Sequence, residues 1–189
     1  MKKYEFTGET KQFLTLNGEV TLHRIRAVVE FGFAKVGDLG GWIEKEENLS
    51  HEGNAWVYGN ARVYGNARVY GNARVCGNAE VCGNAWVYGN ARVCGNAEVY
   101  GNAEVFSTSH VLVIGAIGSR NDFTTFYRDK DGEITVKCGC FLGKIDKFLE
   151  KVTATHGNSK YARVYEAAVE VARLQIDLTD RLSEKDSDE

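Results

Sequence analysis

The chain has 189 residues, a formal net charge of -3, no proline and five cysteines. So mild an acidity exerts no general pull on nucleic acid or anionic membrane, and no apolar run reaches the ~18–20 residues of a spanning helix. The cysteines form no zinc-type CxxC pairs, and MKKYEFTGETKQ has no apolar signal core, so free thiols in a reducing cytoplasm, without metal or cofactor, are expected.

Residues 1–42 contain short β-rich runs such as TLHRIRAVVEF, separated by Gly and Asn. They predict a small β cap over whatever follows, because the open end of a strand stack is an exposed edge that needs a cover.

From Gly53 to Phe106 the phrase GNARVY, with variations, is written nine times in succession. Apolar residues near a spacing of 3.6 would mark a helix, and the phrase lacks them. In strands alternate residues share a face. Six is even, so every copy sends the same positions to the same side. Ala and Val fall together on one face, and the Arg, Glu or Trp between them points away. Gly-Asn is a turn signal, so each copy reads as one short strand and one corner. No copy can bury its Ala and Val alone, and copies must stack to make a core.

The block resembles the hexapeptide repeat of left-handed parallel β-helices, with an aliphatic residue at every sixth position and a small one two places before it. Those positions run from Val57 to Val105 and from Ala55 to Ala103. The resemblance implies coils of three hexapeptides, eighteen residues, stacked ~4.8 Å apart. Val111 and Ile117 continue the sixfold spacing; Ile43 and Leu49 precede it, with a two-residue slip before Val57. The expected architecture is mainly β: a left-handed parallel β-helix over residues 43–117, the N-terminal cap, and a C-terminal ββαα domain over 118–177. Residues 178–189 are expected to be a disordered acidic tail.

An eighteen-residue coil fixes which outward side chains stack: Trp56, Arg74 and Arg92; Arg62, Glu80 and Glu98; Arg68, Trp86 and Glu104. The next columns are Tyr58, Cys76 and Cys94; Tyr64, Cys82 and Tyr100; Tyr70, Tyr88 and Phe106. These columns admit two readings. One is ordinary cross-strand pairing of tyrosines, and of Arg with Trp or Glu. The other is a docking surface built from Trp56, Arg74, Arg92, Trp86, Tyr70 and Tyr88, because Trp, Tyr and Arg are enriched at binding hot spots. No histidine or carboxylate joins Cys76 and Cys94 in their column, which argues against metal there.

Beyond Ile117, strands are expected over Phe123–Arg128 and Ile134–Cys140, joined by a Lys-Asp-Gly turn. Ile145, Phe148, Leu149 and Val152 have helical spacing, THGN ends that helix, and Ser159 is the expected N-cap of a second. GDLGGWIEKEENLSHEGNAWV before the repeats, and IGSRNDFTTFYR with VKCGCF after them, resemble segments of hexapeptide-repeat proteins from bacteriophages and enterobacteria. That likeness brings no chemistry with it.

Three functions compete. Many left-handed β-helix proteins are trimeric acyl- or acetyltransferases with a histidine base, which would make His23, His51, His110 and His156 the candidates. Against this, no long loop interrupts the repeats to form a pocket. Ice binding needs a row of threonines, and the repeats hold none. The preferred reading is a non-catalytic binding protein. In GSRND, Ser119, Arg120 and Asn121 offer a hydroxyl, a planar fork of donors and a polar amide suited to a phosphate or carboxylate. Lys137, Cys138, Cys140 and His156 are expected to line the same cleft, both cysteines sharing one face of a strand. A structural salt bridge from Arg120 to Asp122, or to a helix end, is the competing account. With the phage resemblance, the expected partners are a small nucleotide-like anion or a host protein, with a homotrimer favoured. The chain would serve counter-defence by trapping a signal or masking a target; a purely structural scaffold is the remaining alternative.

Overall fold

The computed structural model describes residues 1–15 and 18–179. It divides into two compact units, the first ending at Thr108 and the second beginning at Ser109.

In the first unit, β1 (Tyr4–Thr15) and β2 (Gly18–Ala27) form an antiparallel hairpin, and β3 (Leu39–Ile43) pairs antiparallel with β2. Nine two-residue strands follow, β4 (Trp56–Val57) to β12 (Glu104–Val105), one per hexapeptide. All pair in parallel at the eighteen-residue offset: Arg74 with Trp56 and Arg92, Glu80 with Arg62 and Glu98, Trp86 with Arg68 and Glu104. The solenoid is therefore the stack that the repeat dictates. The alanines and valines of the repeats are at most 2% exposed and form a dry interior. Corners depend on glycine. At Gly83 φ is +74°, and a Cβ would stand 2.9 Å from the amide nitrogen of Gly101 in the next coil. Beside it the asparagines form ladders, as where Asn66 Nδ2 donates to Asn84 Oδ1 at 3.2 Å and Asn84 Nδ2 to Asn102 Oδ1 at 3.3 Å.

Upstream, Ile43 pairs with Val63 and Leu49 with Val69. Each offset is two residues longer than the repeat, which is the slip seen before Val57. The hairpin extends one solenoid face into a sheet of order β1-β2-β3-β5-β8-β11, with β5 (Arg62–Val63), β8 (Glu80–Val81) and β11 (Glu98–Val99) on the solenoid side. Its side chains lie over that face: Arg62 stacks on the Phe13 ring at 4.5 Å, and Leu22, Trp42 and Tyr64 form a buried cluster.

This covering corrects the expected docking surface. Trp56 is 2% exposed, enclosed by Tyr4 and Phe31 with ring centroids at 6.4 and 5.2 Å. The Arg74 guanidinium lies 4.3 Å over Phe33. Tyr88 is 3% exposed, stacked on Tyr70 at 4.7 Å and near Phe106 at 5.4 Å. Trp86, at 44%, and Arg92 remain exposed. A second correction concerns the thiols. Parallel stacking brings the Cα atoms of Cys76 and Cys94 to 4.5 Å, and the two are joined by a disulfide; Cys82, Cys138 and Cys140 are in no disulfide.

The second unit is an antiparallel sheet of β13 (Val111–Ile117), β14 (Asp122–Arg128), β15 (Ile134–Cys138) and β16 (Phe141–Lys144), in that order. Against it pack α1 (Ile145–His156) and α2 (Lys160–Gln175), sharing a core that includes Phe126, Val136, Phe148, Tyr165 and Val169. The Ser159 side chain accepts from Ala162 N and caps α2, as the sequence predicts. Two strands thus flank the expected pair. Val111 and Ile117, despite their sixfold spacing, do not prolong the solenoid but pair with Tyr127 and Asp122. Ser107 and Thr108 stand where the next Gly-Asn corner would have to turn another coil. Of the expected acidic tail, residues 180–189 lie outside the described residues. Among the described residues no helix is long and apolar enough to cross a membrane.

Candidate functional site

The turn from β13 to β14 carries the GSRND segment. Gly118 has φ +70°, Asn121 has φ +50°, and the Asn121 amide donates to the Gly118 carbonyl at 3.3 Å. Asparagine is among the few residues that visit this region readily. Gly118 is required for a second reason: a Cβ there would stand 2.0 Å from the Tyr165 ring. The turn can lie against Tyr165 only without a side chain.

Ser119 Oγ is 3.4 Å from Nε2 of His156, the last residue of α1. The imidazole stacks on Tyr165 at 5.9 Å, tilted 27°, and sits 6.0 Å from the Tyr161 ring. Burial, with the Cys138 thiol beside it, pushes the Tyr165 hydroxyl above the ordinary tyrosine range. Arg120 extends the other way, over the turn between β15 and β16. A Cβ at Gly139 would lie 2.9 Å from Arg120 Nε, so glycine leaves the guanidinium its place. Lys137 Nζ donates to the Gly139 carbonyl. Arg120 is exposed and makes no ion pair with any described residue. The expected alternative, a bridge to Asp122, is absent: Asp122 Oδ1 accepts from the Phe123 amide at 2.8 Å.

The structure therefore brings Ser119 to His156 and Arg120 to the Lys137–Gly139 turn, with consecutive residues joining the two halves. Asn121 shapes the loop. Cys140 corrects an expectation. Gly139, at φ +56°, ends β15 after Cys138, so Cys140 is exposed in the turn, whereas Cys138 accepts from the Thr124 hydroxyl at 3.3 Å. Sequence reasoning missed Tyr165 and Gly139. The second had a signal, a glycine between two apolar runs.

The other histidines are spent on packing. His51 stacks on Tyr4 at 4.2 Å, its Nδ1 accepts from the Lys3 amide at 3.3 Å, and burial lowers its pKa. His23 rests against Phe6 at 4.8 Å, and His110 is fully buried. A second polar cluster surrounds Asp129. Burial alone would raise this carboxyl, yet bonds from Lys144, Thr135 and the Glu133 amide hold it below the usual range. The Lys144 ammonium occupies the centre of that cluster, which ties β16 to the β14–β15 turn. Among the described residues no three His, Cys, Asp or Glu side chains are grouped to hold a metal.

These features define a hexapeptide β-solenoid protein with an appended α+β unit. Residues 55–71, 61–77 and 67–83 match the repeat family described as YdcK Beta solenoid repeat. The chain is also similar to "Uncharacterized acetyltransferase YdcK" of Escherichia coli (strain K12), with 36% identity over 62 residues. That stretch is 31% of this chain and 19% of the relative, so the chain spans less than a fifth of the relative's length.

Proposed function

We propose that the chain is a non-catalytic binding protein, and that the Ser119–Arg120–Asn121 turn holds a small anion of nucleotide-like charge. The carrying observation is Arg120, an exposed guanidinium seated on Gly139 with no ion pair to a described residue. Such a group retains its full capacity for a bidentate bond to phosphate or carboxylate. Ser119 and His156 add a hydroxyl and an imidazole beside it. With the resemblance to phage proteins, this supports a role in counter-defence by sequestering a nucleotide-derived signal; exposed Trp86 and Arg92 support the masking of a host protein.

Calorimetric titration with a panel of nucleoside mono- and diphosphates tests the site. Charge-assisted bonds contribute ~1.5–3 kcal/mol, so Arg120→Ala should weaken binding about ten- to a hundredfold. The melting temperature should not change, because the arginine has no ion pair to lose. Arg120→Lys should recover only part of the affinity, since a point charge cannot reproduce the fork. Equal affinity in Arg120→Ala, or no affinity in the wild type, removes the site.

Acyl transfer is the second reading, favoured by the name of the E. coli relative. His156, beside the Ser119 hydroxyl, would be its general base. Acetyl-CoA turnover that disappears in His156→Ala would decide for it.

A further inference from the structure

Helix α2 has two apolar faces. Ala162, Tyr165, Val169 and Ala172 are buried in the core of the second unit. Val164, Ala167, Val171 and Leu174 recur at spacings of three, four and three on the other side, the interval of a helix–helix seam. All four are exposed, Leu174 at 88% and Val171 at 47%, and exposed Leu178 follows just past the helix end. Isolated apolar residues on a surface are ordinary, whereas an ordered stripe of them marks an interaction surface.

We propose that this stripe pairs two copies of the chain, α2 against α2, antiparallel about a twofold axis near Val169. Size and charge select this occupant. Antiparallel pairing sets Leu174 against Val164 of the second copy and Val171 against its Ala167, so large side chains meet smaller ones. Parallel pairing in register sets Leu174 on Leu174 and leaves a gap between the two alanines. The charges agree. No acidic residue lies in the first turn of α2, which begins with Lys160 and reaches Arg163, although cations at a helix N-terminus oppose its dipole. In the antiparallel pair these cations lie near Asp177 of the second copy, a contact that occurs twice by symmetry, as a self-complementary patch requires. The helix dipoles then also oppose each other favourably.

Sedimentation equilibrium of the full chain at micromolar concentration should give a dimer mass. Leu174→Glu and Val171→Glu should each return the monomer mass with unchanged far-ultraviolet circular dichroism, since neither side chain is in the core. Trp86→Glu, on the solenoid, should leave the dimer intact. For orientation, the double variant Ala167→Cys/Val171→Cys should cross-link between chains on oxidation, as shown by peptide mapping, and Ala167→Cys alone should not. A monomeric wild type, or an oligomer that survives Leu174→Glu, overturns the pairing. Cross-linking through Ala167→Cys alone overturns its antiparallel sense.

Discussion

Val81→Asp should abolish soluble folded protein. Val81 is fully buried and lies in register between Val63 and Val99, with the first repeat coil on one side and the last on the other. Alanine and valine line this interior, and no donor among them can satisfy a carboxylate. An unpaired buried charge costs several kcal/mol, against ~5–15 kcal/mol for the whole stability of a typical domain. The damage would also spread. In a stacked repeat each coil is stabilised mainly by its neighbours, so a defect in a middle coil removes two contacts at once. Soluble yield and a thermal melt measure it, with Arg92→Ala as a control on the same solenoid, expected within about ±0.5 kcal/mol of wild type. If Val81→Asp melts like wild type, the valines do not face inward.

The solenoid was legible because its period is even. Once six residues make a strand and a corner, arithmetic alone assigns every side chain to the interior or to a column, and the columns pair as that arithmetic requires. What covers the columns was not legible. Trp56 and Trp86 stand in identical phrases, GNAWVY, yet one is 2% and the other 44% exposed. The difference comes from Tyr4 and Phe31, which lie far back in a segment without periodicity. Val111 to Ile117 shows the opposite failure. The spacing of six persisted, but the Gly-Asn corner that gives the spacing its meaning had ended, and a continuous apolar run became an antiparallel strand.

The candidate site was legible by residue type and only partly by position. A turn of Gly, Ser, Arg and Asn announces donors, and the cap at Ser159 places His156 near the end of the preceding helix. Nothing in the sequence says that Ser119 and His156 meet, because their contact depends on how the sheet and α1 share the Phe126 and Phe148 core. Tyr165 is a core aromatic of α2, and its ring also forms the bed for Gly118 and His156. One side chain serving core and site together carries no separate mark in the sequence.

Glu80→Ala should destabilise the first unit strongly, although its side chain points away from the solenoid interior. Glu80 is 6% exposed, enclosed by its neighbours in the columns, Arg62, Tyr64 and Tyr100. Its carboxylate accepts from the hydroxyls of Tyr64 and Tyr100, and from Arg62 Nη2 at 2.7 Å. Alanine would take the carboxylate acceptor from two sequestered hydroxyls and a partly covered guanidinium, and removing one partner of a buried pair costs about 3–5 kcal/mol. Glu80→Gln, which keeps an acceptor but not the charge, should cost less. The network also sets an alkaline limit. Burial, with the bond to Glu80, holds Tyr64 above the ordinary tyrosine range; burial, with the Glu80 charge, does the same for Tyr100. An unfolded tyrosine ionises near pH ~10. Above that pH the folded state binds more protons than the unfolded one, so this contribution is complete below pH ~10 and is lost as the pH rises further. Denaturant midpoints should fall steeply above pH ~10 in the wild type and less steeply in Glu80→Ala, where only the burial part remains. Ultraviolet difference titration of tyrosinate gives the direct reading: if every tyrosine of the folded wild type ionises near pH ~10, the network around Glu80 does not form.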